Sequence, residues 1–258
     1  MKRAIYSFGN EVFTFFANRV EEELNARDIP HIFVGGSAVQ AHILKRLTDS
    51  YDTDISTLAS NEGLRFQDYI RATDDIDLAL KFPEEDEKDI AEVNTVGSIR
   101  DFCDALSGEY ISGTEKNIFS YELERRGITK PVFKIKIDED EEERIFMNLS
   151  RKSKNLKKLS FSCYNEFIDA GSELVIPYSK DYNLKLTVPK LEHVLATKIS
   201  QLRAKDLMDI SNLVKVVHSV GEEVDLEELE RILKPVHTKN YGQFLSLVGL
   251  DGLHPNLY

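Results

Sequence analysis

Residues 71–80 read RATDDIDLAL, three aspartates at the head of an apolar strand. A charge buried without a partner is strongly unfavourable, so carboxylates at such a place need a reason. Side chains alternate along a strand, which puts Asp75 and Asp77 on one face and turns Ile76 and Leu78 to the core. Two carboxylates on one face repel unless a cation sits between them, and a hard divalent ion with oxygen ligands is the natural partner. Asp74 falls on the other face or at the strand start and reads as structural. Taken alone, the D-x-D spacing is equally that of a solvated strand end.

Upstream, residues 31–47 read HIFVGGSAVQAHILKRL. This is a short apolar strand, a Gly35-Gly36 turn, and a helix opened by Ser37 and running to about Leu47. The glycines let backbone approach a ligand, and the helix start offers free N–H groups and a positive dipole end. Such a place suits a phosphate, with the Ser37 hydroxyl as a further donor. Gly-Gly before a helix is also an ordinary tight turn, and the spacing is neither G-x-G-x-x-G nor G-x-x-x-x-G-K-[ST]. Joined to the aspartate strand, the turn points to metal-assisted phosphoryl or nucleotidyl transfer.

The remaining chain reads as a helix over residues 10–26, broken before Pro30, and a polar loop or insertion over 49–69. That loop contains DTDIS, whose Asp52 and Asp54 repeat the D-x-D spacing without an arginine–threonine lead-in or a following apolar strand. A helix near Val96–Leu106 precedes the strand-like runs KNIFSYEL, VFKIKID, RIFMNLS and ELVIPYS, with a charged hairpin tip at Asp138–Glu143. From Val188 three helical patterns follow, the last with Asp225 as N-cap. The expected fold is α+β: a mixed sheet flanked by helices over residues 1–187, then a helical domain over 188–258.

The 258 residues carry a net charge of −12, which disfavours broad gripping of a phosphate backbone. The run RKSKNLKK (Arg151–Lys158) is a local basic patch or a solvated loop. No apolar run reaches the roughly 18 residues of a membrane helix. Glu11 interrupts the apolar start, against a signal peptide. Cys103 and Cys163 lack metal-ligand spacing and fit a reducing cytoplasm. His42 and His193 show no ligand spacing and read as packing or surface residues.

FVGGSAVQAH followed by RATDDIDL resembles the nucleotidyltransferases of the DNA polymerase β superfamily, above all their AbiEii-type branch, which includes toxins of toxin–antitoxin systems. There, an hGG[AST] turn and helix precede R-x-T-x-D-[IL]-D. LATKISQLRAKDLMDI (Leu195–Ile210) is similar to that branch's helical motif, a lysine ahead of K-D-x-x-D-[IL]. The likeness spans about residues 29–215 and implies transfer of NMP from an NTP with Mg²⁺ or Mn²⁺. The acceptor would be RNA such as tRNA, a protein or a small molecule, and an antitoxin is a possible partner. It implies that Gly35, Gly36 and Ser37 hold the triphosphate and that Asp75 and Asp77 bind metal. Lys198 and Asp209 would complete the site, with Lys205 and Asp206 nearby. The last three are also spaced as an intrahelical salt-bridge set. Arg71 reads first as a partner for the aspartates, then as a phosphate contact. The gap from Ser37 to Asp75 is longer than usual for the branch. The superfamily's third carboxylate is either Asp138 or, if RIFMNLS is the equivalent strand, replaced by Asn148, which cannot act as a base. In that case the alternative is a nucleotide- or partner-binding module that has kept the fold without turnover.

Overall fold

A computed structural model describes residues 7–60, 69–73, 75–81, 99–112, 115–123, 131–136, 142–151, 164–233 and 238–247. Asp74, Asp138, Cys163 and residues 152–158 of the basic run lie outside them. In chain order the elements are α1 (Glu11–Ala26), β1 (His31–Val34), α2 (Gly35–Tyr51), α3 (Ile55–Ser60) and β2 (Asp75–Leu80). Then come α4 (described over 99–106), β3 (Gly108–Ser112), β4 (Glu115–Leu123), β5 (Pro131–Lys136) and β6 (Glu142–Arg151). The last are α5 (Tyr164–Asp169), β7 (Ser172–Ser179), β8 (Tyr182–Val188), α6 (Leu191–Gln201), α7 (Ala204–Ser219), α8 (Leu226–Leu233) and α9 (Thr238–Leu247).

Six strands form one mixed sheet in the order β1-β2-β6-β5-β4-β3. Among the described strands only β2 and β6 pair in parallel; the other neighbours are antiparallel. The mixed sheet flanked by helices is the fold class expected from the sequence. Every described element after β8 is helical.

Helix α1 starts where Asn10 caps it, its side-chain oxygen accepting from the Phe13 N–H at 2.9 Å. Its apolar stripe lies on the sheet, with Phe16 between Phe119 and Phe133 at ring separations of 5.1 and 4.9 Å. The same helix closes the free edge of the β7–β8 hairpin. The Lys185 N–H donates to Asn18 Oδ1 (2.9 Å) and the Thr187 N–H to Glu21 Oε2 (2.8 Å). Residues three apart on a helix thus stand in for a neighbouring strand, satisfying N–H groups that an edge leaves open. Glu21 is buried, which raises its carboxyl, but bonds to His31 and Thr187 outweigh this and hold it below the usual range.

The stretch 49–69, expected as a loop, is partly helical. Helix α2 runs on to Tyr51, and α3 starts after Asp54, whose carboxylate accepts from the Thr57 N–H at 2.8 Å. Asp52 is the left-handed end of α2 (φ 48°). DTDIS is therefore a joint between two helices. Five elements were not read from the sequence: α3, β3, α5, β8 and α9, although YNLKLTV does alternate in burial.

Helix α2 is buried along most of its length against α6 and α7. His42 ties it to the chain ahead of α6, its Nε2 donating to the Pro189 carbonyl at 2.8 Å while Arg46 Nη1 donates to Nδ1 at 3.1 Å. Both contacts require a neutral ring. Burial pushes His42 down from 6.5 to about 4, against the pull of the Pro189 carbonyl. The unfolded chain therefore binds the extra proton first. Stability should be full above pH 6.5 and fall by up to about 3 kcal/mol as pH drops towards 4. Denaturant midpoints at a series of pH values test this, and His42→Gln should remove much of the slope across that window.

Candidate active site

Asp77 stands opposite Val34 in the β1–β2 ladder, and Val34 is followed at once by Gly35. The register thereby sets the first turn of α2 against the aspartate face of β2. A Cβ on Gly35 would overlap the Asp77 carboxylate, and the residue has φ +65°, so glycine is required here twice over. A Cβ on Gly36 would meet Arg71 Nη2 and Thr73 Oγ1 at 3.3 Å.

Along β2, Ile76 and Leu78 are fully buried, while Asp75 and Asp77 keep partial exposure on the other face. On the parallel neighbour, Asn148 is in register with Asp77. Its Nδ2 donates to Asp77 Oδ1 at 2.8 Å and to Asp75 Oδ2 at 3.2 Å. Thr73 Oγ1 donates to Asp75 Oδ1 at 2.6 Å. Burial and the neighbouring Asp75 push the Asp77 carboxyl up to about 6, against the Asn148 amide and the charges of Lys198 and Lys205. An amide, not a third acid, lies beside the pair on β6; Asp138 is outside the described residues.

Across from this face the N-terminal turn of α7 and the end of α6 bring in a buried ion cluster. Lys198 Nζ donates to Asp209 Oδ2 at 2.6 Å, and both residues are buried. Arg71 closes on the same carboxylate, Nε to Oδ1 at 3.1 Å and Nη2 to Oδ2 at 3.4 Å. Asp206 Oδ1 lies 3.7 Å from Lys198 Nζ, and Oδ2 accepts from the Arg203 backbone N–H (3.0 Å) and Nε (2.7 Å). Burial would raise the Asp206 carboxyl, but the Arg203 bonds outweigh this and hold it below the usual range. Leu202, left-handed at φ 47°, separates α6 from α7 and lets Lys198 and Asp209 face each other across the break.

The sequence-derived residues therefore meet. Gly35, Asp75, Asp77 and Asn148 form one side. Lys198, Asp206 and Asp209 form the other, and Arg71 bridges from Gly36 to Asp209. Arg71 pairs with Asp209, not with the β2 carboxylates. Among the described residues Asp206 and Asp209 pair with Arg203, Lys198 and Arg71, not with Lys205, so the intrahelical set does not form. Lys205 is exposed and acts on Asp77 through its charge. Ser37 Oγ is buried with no hydrogen-bond partner among the described residues. Thr73, Gln40 and Arg203 were missed. Thr73 was readable, two residues before Asp75. Gln40, which donates to the Arg71 carbonyl (3.0 Å) and accepts from the Phe8 N–H (3.0 Å), gave no signal beyond being polar on a buried helix face.

By sequence the chain matches no family profile and no curated protein. Similar solved structures include an antigenic nucleotidyltransferase-like protein from Paracoccidioides brasiliensis, with 12% identity and TM-score 0.49 over 96% of this chain and 95% of that one. Another is the MenT4 nucleotidyltransferase toxin of Mycobacterium tuberculosis H37Rv, with 13% identity and TM-score 0.48 over 91% of this chain and 65% of that one. A third is the antibiotic-resistance factor ANT(2'')-Ia, with 13% identity and TM-score 0.35 over 96% and 98%.

Gly35→Ala should destabilise the fold by about 1–3 kcal/mol through the forced φ and the collision with Asp77. Combining it with Asp77→Ala should recover the collision part, so a double-mutant cycle in denaturant should show coupling between the two positions.

Proposed function

We propose that this chain is a nucleotidyltransferase that moves NMP from an NTP to an acceptor, with Asp75 and Asp77 holding a divalent cation, Mg²⁺ or Mn²⁺. The observation that carries this reading is the paired carboxylates of β2 set against Gly35 and opposed by Lys198 and Lys205. The donor set fits a hard cation: two carboxylates share one face, and Asp77 holds its proton to about 6 because burial and Asp75 disfavour its charge. When bound, the cation neutralises phosphate charge and polarises the reacting phosphoryl group.

The chain's own residues then divide the work. Gly35, Gly36 and the first N–H groups of α2 receive the triphosphate, and the Ser37 hydroxyl, which has no hydrogen-bond partner among the described residues, adds a donor. Lys198 and Lys205 present positive charge to the phosphates. Asp209, held by Arg71, fixes the Lys198 ammonium, and Asp206 fixes the start of α7. Residues 1–187 would form the transferase domain, with 188–258 a helical domain contributing this lysine and acid. Asn148 cannot take a proton; its amide steadies Asp75 and Asp77. The acceptor class follows from charge: −12 favours a protein, a small molecule or a narrowly focused RNA site such as a tRNA end. The motif likeness adds a role as a cytoplasmic toxin restrained by an antitoxin.

One observation favours a second reading, a nucleotide- or partner-binding module without turnover: Asn148 lies in register with Asp77, beside the carboxylate pair. Incubation with labelled NTPs, Mg²⁺ or Mn²⁺, and tRNA, protein or small-molecule acceptors separates the two. Labelled product that is lost in Asp75→Ala and Asp77→Ala, with both variants folded, supports transfer. NTP binding with no product from any acceptor supports the second reading, and unchanged activity in both variants rejects the site.

The pH dependence has a definite sign. Below about pH 6 the cation must displace a proton from Asp77, so its affinity should fall by up to roughly tenfold per pH unit there and level off above it. Calorimetric titration of Mg²⁺ or Mn²⁺ from pH 5 to 8 measures this.

A further inference from the structure

A second group of ligand-type side chains gathers where α5, α6 and α8 meet. We propose that Glu166 of α5, His193 of α6 and Glu228 of α8 form a binding site for a divalent transition metal of the zinc class. One ligand atom from each lies within 4.8 Å of the others, and His193 Nε2 is 3.9 Å from Glu228 Oε1.

The independent observation is the histidine itself. His193 is 1% exposed, and neither ring nitrogen has a hydrogen-bond partner among the described residues. Its ring stacks on Phe167 at 4.1 Å and 16°, which fixes the imidazole plane. A buried imidazole without a hydrogen bond is unfavourable, and a metal bond from Nε2 would satisfy it. An imidazole with two carboxylates suits zinc, whose three-protein-ligand sites keep a fourth position for water. Zinc–ligand bonds of about 2.0–2.2 Å require the two glutamates to draw in by side-chain rotation.

Arg231 now supplies the positive charge. It donates to Glu228 at 2.6 and 3.0 Å and also to Glu166. Its side chain is 54% exposed, so it can swing into solvent and yield the carboxylates to a metal. Bound metal would clamp α5 and α8 to α6, the helix that carries Lys198 five residues further on, about 7.5 Å along its axis.

The test uses the purified full chain in excess Mg²⁺, titrated with Zn²⁺ by calorimetry and with Co²⁺ by visible absorption. Saturable Zn²⁺ binding and a Co²⁺ ligand-field band are expected. Glu166→Gln and Glu228→Gln should each weaken binding by roughly tenfold or more. His193→Gln should abolish the band, Arg231→Gln should tighten binding, and Asp77→Asn should leave it unchanged. The absence of saturable Zn²⁺ binding, an affinity indifferent to both glutamate variants, or a loss that follows Asp77 instead would overturn the assignment. Because the glutamates are partly exposed, their variants keep the test decisive even if His193→Gln unfolds.

Discussion

The repulsion between Asp75 and Asp77 is the constraint around which the rest is built. Period-two geometry forces the two carboxylates together, and the hydrophobic burial of Ile76 and Leu78 prevents the strand from turning to separate them. What surrounds the pair is a set of donors: the Asn148 amide across the parallel ladder, the Thr73 hydroxyl, and cationic charge from the helices. Antiparallel pairing with β1 then brings in backbone, and only glycine fits there.

The second half of the site is charge held under cover. Lys198 and Asp209 are both buried, a pairing whose desolvation is offset only when every partner is present. Arg71 supplies that completion from the segment ahead of β2, so helices from the end of the chain are pinned to the strand that carries the aspartates. The left-handed Leu202 makes this possible by letting α6 and α7 fold back on each other.

Much of this was legible because it depended on local chemistry. The alternation in DIDLAL, the change from strand to helix at Gly35-Gly36 and the Asp225 cap each show at their own residues; the glycines are the first turn of α2 and not a turn ahead of it, and the cap is made, Asp225 Oδ1 accepting from the Glu228 N–H at 3.0 Å. Asn148 was legible only as an alternative, because strand register across 71 residues is set by pairing and not by pattern. Arg71 was legible as a partner for aspartates but not for which one, for the same reason: Asp209, with which it pairs, is 138 residues away. DTDIS read as loop because a helix joint and a loop use the same residues, aspartate caps and turn formers. His193 carried no ligand spacing because Glu166 and Glu228 reach it from other helices.

Those separations bear on when the molecule becomes whole during synthesis. The edge of β8 is sealed by a helix 166 or 167 residues earlier, and the Arg71–Asp209 bond joins residues 138 apart. Contacts this distant form late, after loop closure across most of the chain. A ribosome-bound chain that has delivered β2 and β6 therefore displays its aspartates without the opposing lysine. Until α6 and α7 emerge, the two sides of the candidate site have not met.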